Sequence, residues 1–361
     1  MTHGDEILGC WSGDSGFWAK APFVHFWAGA FAVGFCLACA FPAQARTRRR
    51  HGRHHRRVIR PRGACRLDGP VKSFVLVAGK PVRSVAVSAD GRRAAAVVDG
   101  SGVWVWNLPA GGLAARIVRP GKIGSVALSP DGMTLAVSWD QTGIGLWTLR
   151  NGVTSLGWWK ETTGVLALAF SPDGRLLAYG GRRRSVTIRP VRGGSAPVVG
   201  MGHTSWVSAL VFGRAGKTLY SGAWDDTVRA WRVLDGHALW RAPVHSFAVN
   251  AIALAGSSVI SGSDDGRTKV DRTSDGAQIK TRRWGQVKGL AVLLGGRYLA
   301  AGTWGGRLLL VDAASMGVLQ NRRGEAGPVE SLAGGGRTVM VGGPKGSVKV
   351  YELTGCVASA K

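Results

Sequence analysis

GHTSWVSALVFGRAGKTLYSGAWDDTVRAWRV, residues 202–233, decides how the rest of the chain is read. Val207, Ala209 and Val211 fall on one side of an extended segment, and no helical spacing of apolar positions is present. Gly213 and Gly216 mark a tight turn, Lys217–Ala223 reads as a second strand, Trp224-Asp225-Asp226 as another turn, and Thr227–Val233 as a third strand.

The same order recurs on both sides of this stretch. The first apolar position of each unit is Val82, Ile123, Val165, Val207, Val249, Val287 or Val329, a spacing of 41, 42, 42, 42, 38 and 42 residues. In three units the first turn reads polar-x-Asp-Gly: Ser88-Ala89-Asp90-Gly91, Ser129-Pro130-Asp131-Gly132 and Ser171-Pro172-Asp173-Gly174. Three strands per unit, with length for a fourth between units, describe the blade of a β-propeller at this period. The expected fold is all-β, a seven-bladed β-propeller of four-stranded blades.

These units resemble the WD-repeat family of β-propellers over about residues 71–353. In that family a His before the first strand, a Ser or Thr late in the second, an Asp in the next turn and a Trp in the third strand form a buried hydrogen-bonded set. The resemblance assigns His203, Asp225 and Trp231 to unit four, with Ala223 in the Ser/Thr place. It assigns His245, Ser263 and Asp265 to unit five, with Asp271 in place of Trp, and Ser138, Asp140 and Trp147 to unit two, with Arg119 in place of His. All read as structural, because a buried His with an Asp partner in this setting is a satisfied network.

The resemblance also implies that one end of the chain supplies a strand to the blade made by the other. Unit seven ends at Leu353, leaving TGCVASAK, while VKSFVLV, residues 71–77, lies unassigned before unit one. That segment is expected as the outer strand of the last blade, with Phe74 and its neighbours alongside Lys349 and Val350. Closure of this kind brings Cys65 near Cys356. In an oxidising compartment the two would form a disulfide; in a cytosolic protein they would stay separate thiols.

Composition agrees with short strands and turns. Apolar residues at 45%, charged residues at 19% and 55 glycines in 361 exclude a disordered chain, a coiled coil and a charged helical bundle. The net charge of +26 attracts nucleic acid, anionic lipid or an acidic polymer whatever the fold. Residues 46–66 carry ten Arg and no acid, so 46–70 is expected as a basic linker that either contacts phosphate and anionic lipid or merely spaces. Before it, residues 21–45 lack any Asp, Glu, Lys or Arg. Ala43-Gln44-Ala45 makes 1–45 a candidate signal peptide, cleaved near Ala45 with the propeller exported. The charge asymmetry about the run favours instead a retained anchor with a cytoplasmic propeller, 71–356, and a short tail, 357–361.

Enzyme chemistry finds little footing. No H-E-x-x-H, paired C-x-x-C, Walker loop or G-x-S-x-G occurs after residue 66, and no catalytic residue, cofactor or metal ligand is assigned. Binding is the remaining use. Trp139, Trp224 and Trp304 come at the turn between second and third strands, Trp206 precedes a first strand, and Arg182, Arg183, Arg184 and Lys345 occupy equivalent turns. Together they predict an aromatic and cationic platform for an acidic peptide or anionic partner; the alternative is tryptophans lying flat between blades. The function expected is a monomeric, non-enzymatic protein-interaction scaffold at the cell envelope. Nucleic-acid or anionic-polymer binding through the basic arm, and a propeller enzyme with a channel site, are the alternatives.

Overall fold

The computed structural model describes residues 65–75, 79–98, 100–119, 121–193, 195–323 and 327–356. The chain divides into two units at Val58 and Ile59, and the second carries all the described residues. The signal or anchor expected over 1–45, most of the basic linker and the tail from 357 lie outside them.

The described residues form seven sheets, each of four antiparallel strands, and in six of them the strands follow chain order from the inside outward. Blade four, for example, runs through Val207–Phe212, Thr218–Ala223, Val228–Arg232 and Ala238–Ala242. The second strand of every blade is sandwiched on both faces by its neighbours. Arg93–Val98, Thr134–Trp139 and Thr218–Ala223 are accordingly near-continuous apolar runs buried after the first residue. An apolar cluster fills each of the seven interfaces. Between blades three and four Val186 and Ile188 meet Leu219 and Trp231, and across the closing interface Met340, Val348 and Val350 meet Val82, Trp104 and Trp106. Each such side chain contributes about 1.5–3 kcal/mol by leaving water.

The Ser-x-Asp-Gly turns form as read. Ser129 Oγ donates to Asp131 Oδ1 at 2.5 Å, the Met133 amide donates to the same oxygen at 3.0 Å, and Gly132 takes the left-handed φ of +67° that the turn requires.

Blade seven is closed from the other end of the chain. Its strands Ser331–Gly335, Thr338–Gly342 and Ser347–Thr354 are completed by Arg66–Val75, antiparallel, with Lys72 opposite Val350, Ser73 opposite Lys349 and Phe74 opposite Val348. The expected closure therefore holds, but the strand begins at Arg66, so residues 66–70 belong to the ring and not to a linker. The pairing shifts between Asp68 and Lys72, where Gly69 adopts a φ of +112°. A Gly-Pro pair inside this bulge reads as a break, although the ladder continues on either side.

Both neighbours hold the donated strand. Phe74 stacks on Trp106 of blade one with centroids 5.3 Å apart, and Leu67 is fully buried against blade six. From the outer strand of blade six, Gln320 Oε1 accepts from the Leu67 amide at 2.7 Å and Gln320 Nε2 donates to the Leu67 carbonyl at 3.1 Å. Arg322 donates to the same carbonyl at 2.9 Å and to that of Gly69 at 2.5 Å. Replacing Gln320 by Ala strips the Leu67 amide of its side-chain partner and leaves the carbonyl to Arg322, and should lower stability by about 1–3 kcal/mol in urea unfolding. An unchanged midpoint would show that this clamp is incidental. Beyond Leu67 the chain ends are joined covalently by the Cys65–Cys356 disulfide, whose Cα atoms lie 4.3 Å apart.

Candidate functional site

Two places on the ring gather polar side chains: the networks between blades and the face at the mouth of the central channel. In blade four the network is complete. Trp231 Nε1 donates to Ser221 Oγ at 2.7 Å, Ser221 Oγ lies 2.7 Å from His203 Nε2, and His203 Nδ1 lies 2.8 Å from Asp225 Oδ2. With Ser221 accepting from Trp231, its hydroxyl donates to Nε2, and Nδ1–H donates to Asp225. Burial alone would push the Asp225 carboxyl up, yet hydrogen bonds from His203, Thr227 and the Thr204 amide hold it well below the usual carboxylate range.

Blade five repeats the arrangement without its tryptophan. His245 Nδ1 lies 2.8 Å from Asp265 Oδ2 and Nε2 lies 2.9 Å from Ser261 Oγ. Burial pushes the His245 imidazole down, partly offset by Asp265. Asp271 stands opposite Val259 as Trp231 stands opposite Leu219, fully buried, and neither of its carboxylate oxygens has a hydrogen-bond partner.

Three assignments made from the sequence need correction. In blade four the Ser/Thr place is held by Ser221, not Ala223, so the set has no gap. Ser263 is not the partner of His245; it donates to the Phe247 carbonyl at 2.8 Å and accepts from the Asp265 amide at 3.1 Å, tying the turn. Residues two apart in a strand share a face, so periodicity cannot choose between Ser261 and Ser263. Blade two has no such set at all. Ser138 accepts from the Ser125 amide at 2.8 Å and donates to the Val165 carbonyl at 3.1 Å, Asp140 lies 3.9 Å from Arg182, and Trp147 packs on Trp139. Val137 occupies the fourth position of its strand, as Ser221 does in blade four, and removes the hydroxyl on which the network depends.

Ser221–His203–Asp225 and Ser261–His245–Asp265 have the hydrogen-bond order of a hydrolytic triad. Both imidazoles and both serines are sealed from solvent, so neither hydroxyl can meet a substrate. In blade four the serine is also occupied by Trp231. Their role is to join inner, second and third strands. Ser221→Ala should cost about 2–4 kcal/mol by stranding two buried donors or acceptors, whereas Ser263→Ala should stay within about 1 kcal/mol. Equal losses in urea titration would contradict the reassignment.

The second place is the channel mouth. Six inner strands shift register after their first residue, between Val82/Ser84, Ile123/Ser125, Val165/Ala167, Val207/Ala209, Val249/Ala251 and Val287/Gly289. The extra residue turns inward, so Arg83, Gly124, Leu166, Ser208, Asn250 and Lys288 line a channel cavity of about 380 Å3, joined by Glu330 and Trp224. Strict alternation hides these bulges, and of the channel residues only Trp224 was foreseen.

Of the expected platform, Trp206, Trp224, Trp304 and Arg182 lie in two groups. Trp206 and Trp224 stack with centroids 4.7 Å apart, and the Arg182 guanidinium sits 5.0 Å above Trp206. Across the mouth, Lys288 Nζ lies 5.8 Å from the Trp304 ring and 2.6 Å from Asp264. Trp224 and Trp304 are each 45% exposed. Arg183 pairs with Glu161 at 3.9 Å, and Arg184 and Lys345 are exposed at the left-handed positions of their turns. Trp139 is a correction. It is buried, packed between Trp147 and Trp158 at 5.6 and 5.4 Å, because its strand directs it into the interface with blade one. No group of three or more His, Cys, Asp or Glu among the described residues is arranged to hold a metal ion.

Comparison with protein families matches residues 151–188 and 197–232 to the family described as WD domain, G-beta repeat. Each match begins just before the outer strand of one blade and ends in the third strand of the next, the same phase in which the chain closes its ring. No curated protein matches the chain. Two matched repeats, inside a ring of seven four-stranded blades completed by an exchanged terminal strand, make the chain a seven-bladed β-propeller consistent with the WD-repeat family.

Proposed function

We propose that the chain is a non-enzymatic scaffold that receives a protein partner bearing acidic side chains on the channel-mouth face. WD-repeat propellers commonly mediate protein interactions. The observation that carries the reading is the Trp206–Trp224 stack, which is capped by Arg182 and reaches the channel through an exposed Trp224. Large, rigid aromatics beside a guanidinium are what interface anchors are made of. The sealing of both Ser–His–Asp sets supports a binding role over catalysis. We further assign the ring to an exported, envelope compartment, a reading supported by the Cys65–Cys356 bond.

The test is capture from the native envelope fraction with full-length chain, comparing wild type with a Trp224→Ala/Trp304→Ala variant of equal melting temperature. At least one protein should be depleted about tenfold or more in the variant, the scale of losing an aromatic anchor. Identical captured sets would overturn the reading.

A further inference from the structure

We infer that the outer edge of blades five and six is a membrane-facing surface that binds anionic phospholipid head groups, separately from the channel mouth and from residues 46–66. In blade five the third strand, Arg267–Arg272, pairs with the outer strand, Gln278–Arg283, so that Arg267 lies directly opposite Arg283. In blade six Arg307–Asp312 pairs with Gly317–Arg323, and Arg307 lies directly opposite Arg323. Like charges facing each other across a ladder destabilise it. Finding the same repulsive pair at the same place in two successive blades points to a use outside the fold.

The arginines are not neutralised nearby. Among the described residues Arg267, Arg283 and Arg323 are exposed and have no carboxylate partner, and the Arg307 guanidinium donates to the Trp284 carbonyl at 3.2 Å and to Asn321 Oδ1 at 3.3 Å. The neighbouring acids are engaged elsewhere: Asp264 by Lys288 at 2.6 Å, Asp265 by His245 at 2.8 Å and Asp275 by Arg272 at 2.7 Å. Glu325 lies outside the described residues.

Aliphatic side chains complete the surface. The outer strand of each blade shifts register near its beginning, between the partners of Val270 and Asp271 and between those of Leu310 and Val311. The extra residues are Ile279 and Leu319, which are 51% and 50% exposed. Both outer strands thus carry an aliphatic residue toward one end and arginines at the other. Aliphatic groups enter the boundary between head group and acyl chain while cations meet the phosphates, the composition of a surface that rests on an anionic bilayer. A nucleic acid would use the arginines, but contact with its backbone or bases gains from aromatic stacking and hydrogen bonds, not from exposed Ile and Leu.

The experiment follows amide hydrogen exchange in the full-length protein with vesicles of phosphatidylcholine alone, with vesicles containing phosphatidylglycerol, and with duplex DNA. Exchange in 278–283 and 317–323 should slow only with phosphatidylglycerol. That protection should fall about tenfold or more in Arg283→Glu/Arg323→Glu and also be lost in Ile279→Ser/Leu319→Ser. The Glu variant places opposite charges across both ladders, so it should melt at or above the wild-type temperature, which separates lost lipid contact from lost folding. Protection unchanged in the Glu variant, absent with anionic vesicles, or equally produced by DNA would overturn the proposal. None of these outcomes bears on Trp224, so the scaffold reading stands or falls by its own test.

Discussion

Replacing Cys65 and Cys356 by serine should lower the stability of the ring by about 3–5 kcal/mol. The bond spans 291 residues, so breaking it releases nearly the whole propeller from a closed loop. Its removal also frees the one strand that reaches its blade from the far end of the chain. Arg66–Val75 would then rest on its ladder with Ser347–Thr354, on Phe74 against Trp106 and on the Gln320 and Arg322 clamp. Urea unfolding of oxidised and reduced protein measures the effect. Exchange at Leu67 should accelerate more than exchange in blade four, and matching midpoints with and without reductant would mean that the hydrogen-bonded strand suffices.

A second large effect, of opposite sign, is expected at Asp271. Burial raises its carboxyl from an ordinary value of 3.8 to about 7, with Lys269 offsetting only part of the shift. The unfolded chain ionises this group near pH 4 while the folded ring keeps it protonated, so stability falls as pH rises from there to about 7 and then levels off. Asp225 works in the other direction. Its folded carboxyl titrates below the unfolded one, so its contribution is present above about pH 4 and is lost on acidification. Asp271→Leu should therefore stabilise the ring by about 2–4 kcal/mol above pH 7 and by much less near pH 4. Asp271→Asn should flatten the slope between those values. A wild-type slope that survives Asp271→Asn would place the titration elsewhere.

Much of this architecture is legible from local pattern. Alternation in Val207–Phe212 and its six counterparts, with turn residues such as Asp131 and Gly132, specifies strands and their limits without distant contacts. The donated strand is legible because Val71–Val77 has no other place in the count. What escapes is whatever depends on register. Ser221 and Ala223 share a face, as do Ser261 and Ser263, and only the depth at which the histidine enters selects between them. Trp139 looks like Trp224 in sequence, yet it pairs with Ile123 as Ala223 pairs with Val207, inside the strand and buried between blades, whereas Trp224 lies one residue beyond its strand and is exposed. The inner bulges that aim Asn250 and Lys288 into the channel leave no compositional mark. Gln320 and Arg322 gain their role only when a segment more than 250 residues away comes to lie beside them.

The scaffold reading is tested most directly by where a partner touches the ring. A photo-crosslinking amino acid placed at Trp224, at the channel mouth, and separately at Leu234, 82% exposed in the turn between the third and outer strands of the same blade, reports on opposite faces. The account predicts a discrete protein adduct from position 224 in the native envelope and none from 234. Adducts from Leu234 with none from Trp224 would contradict it.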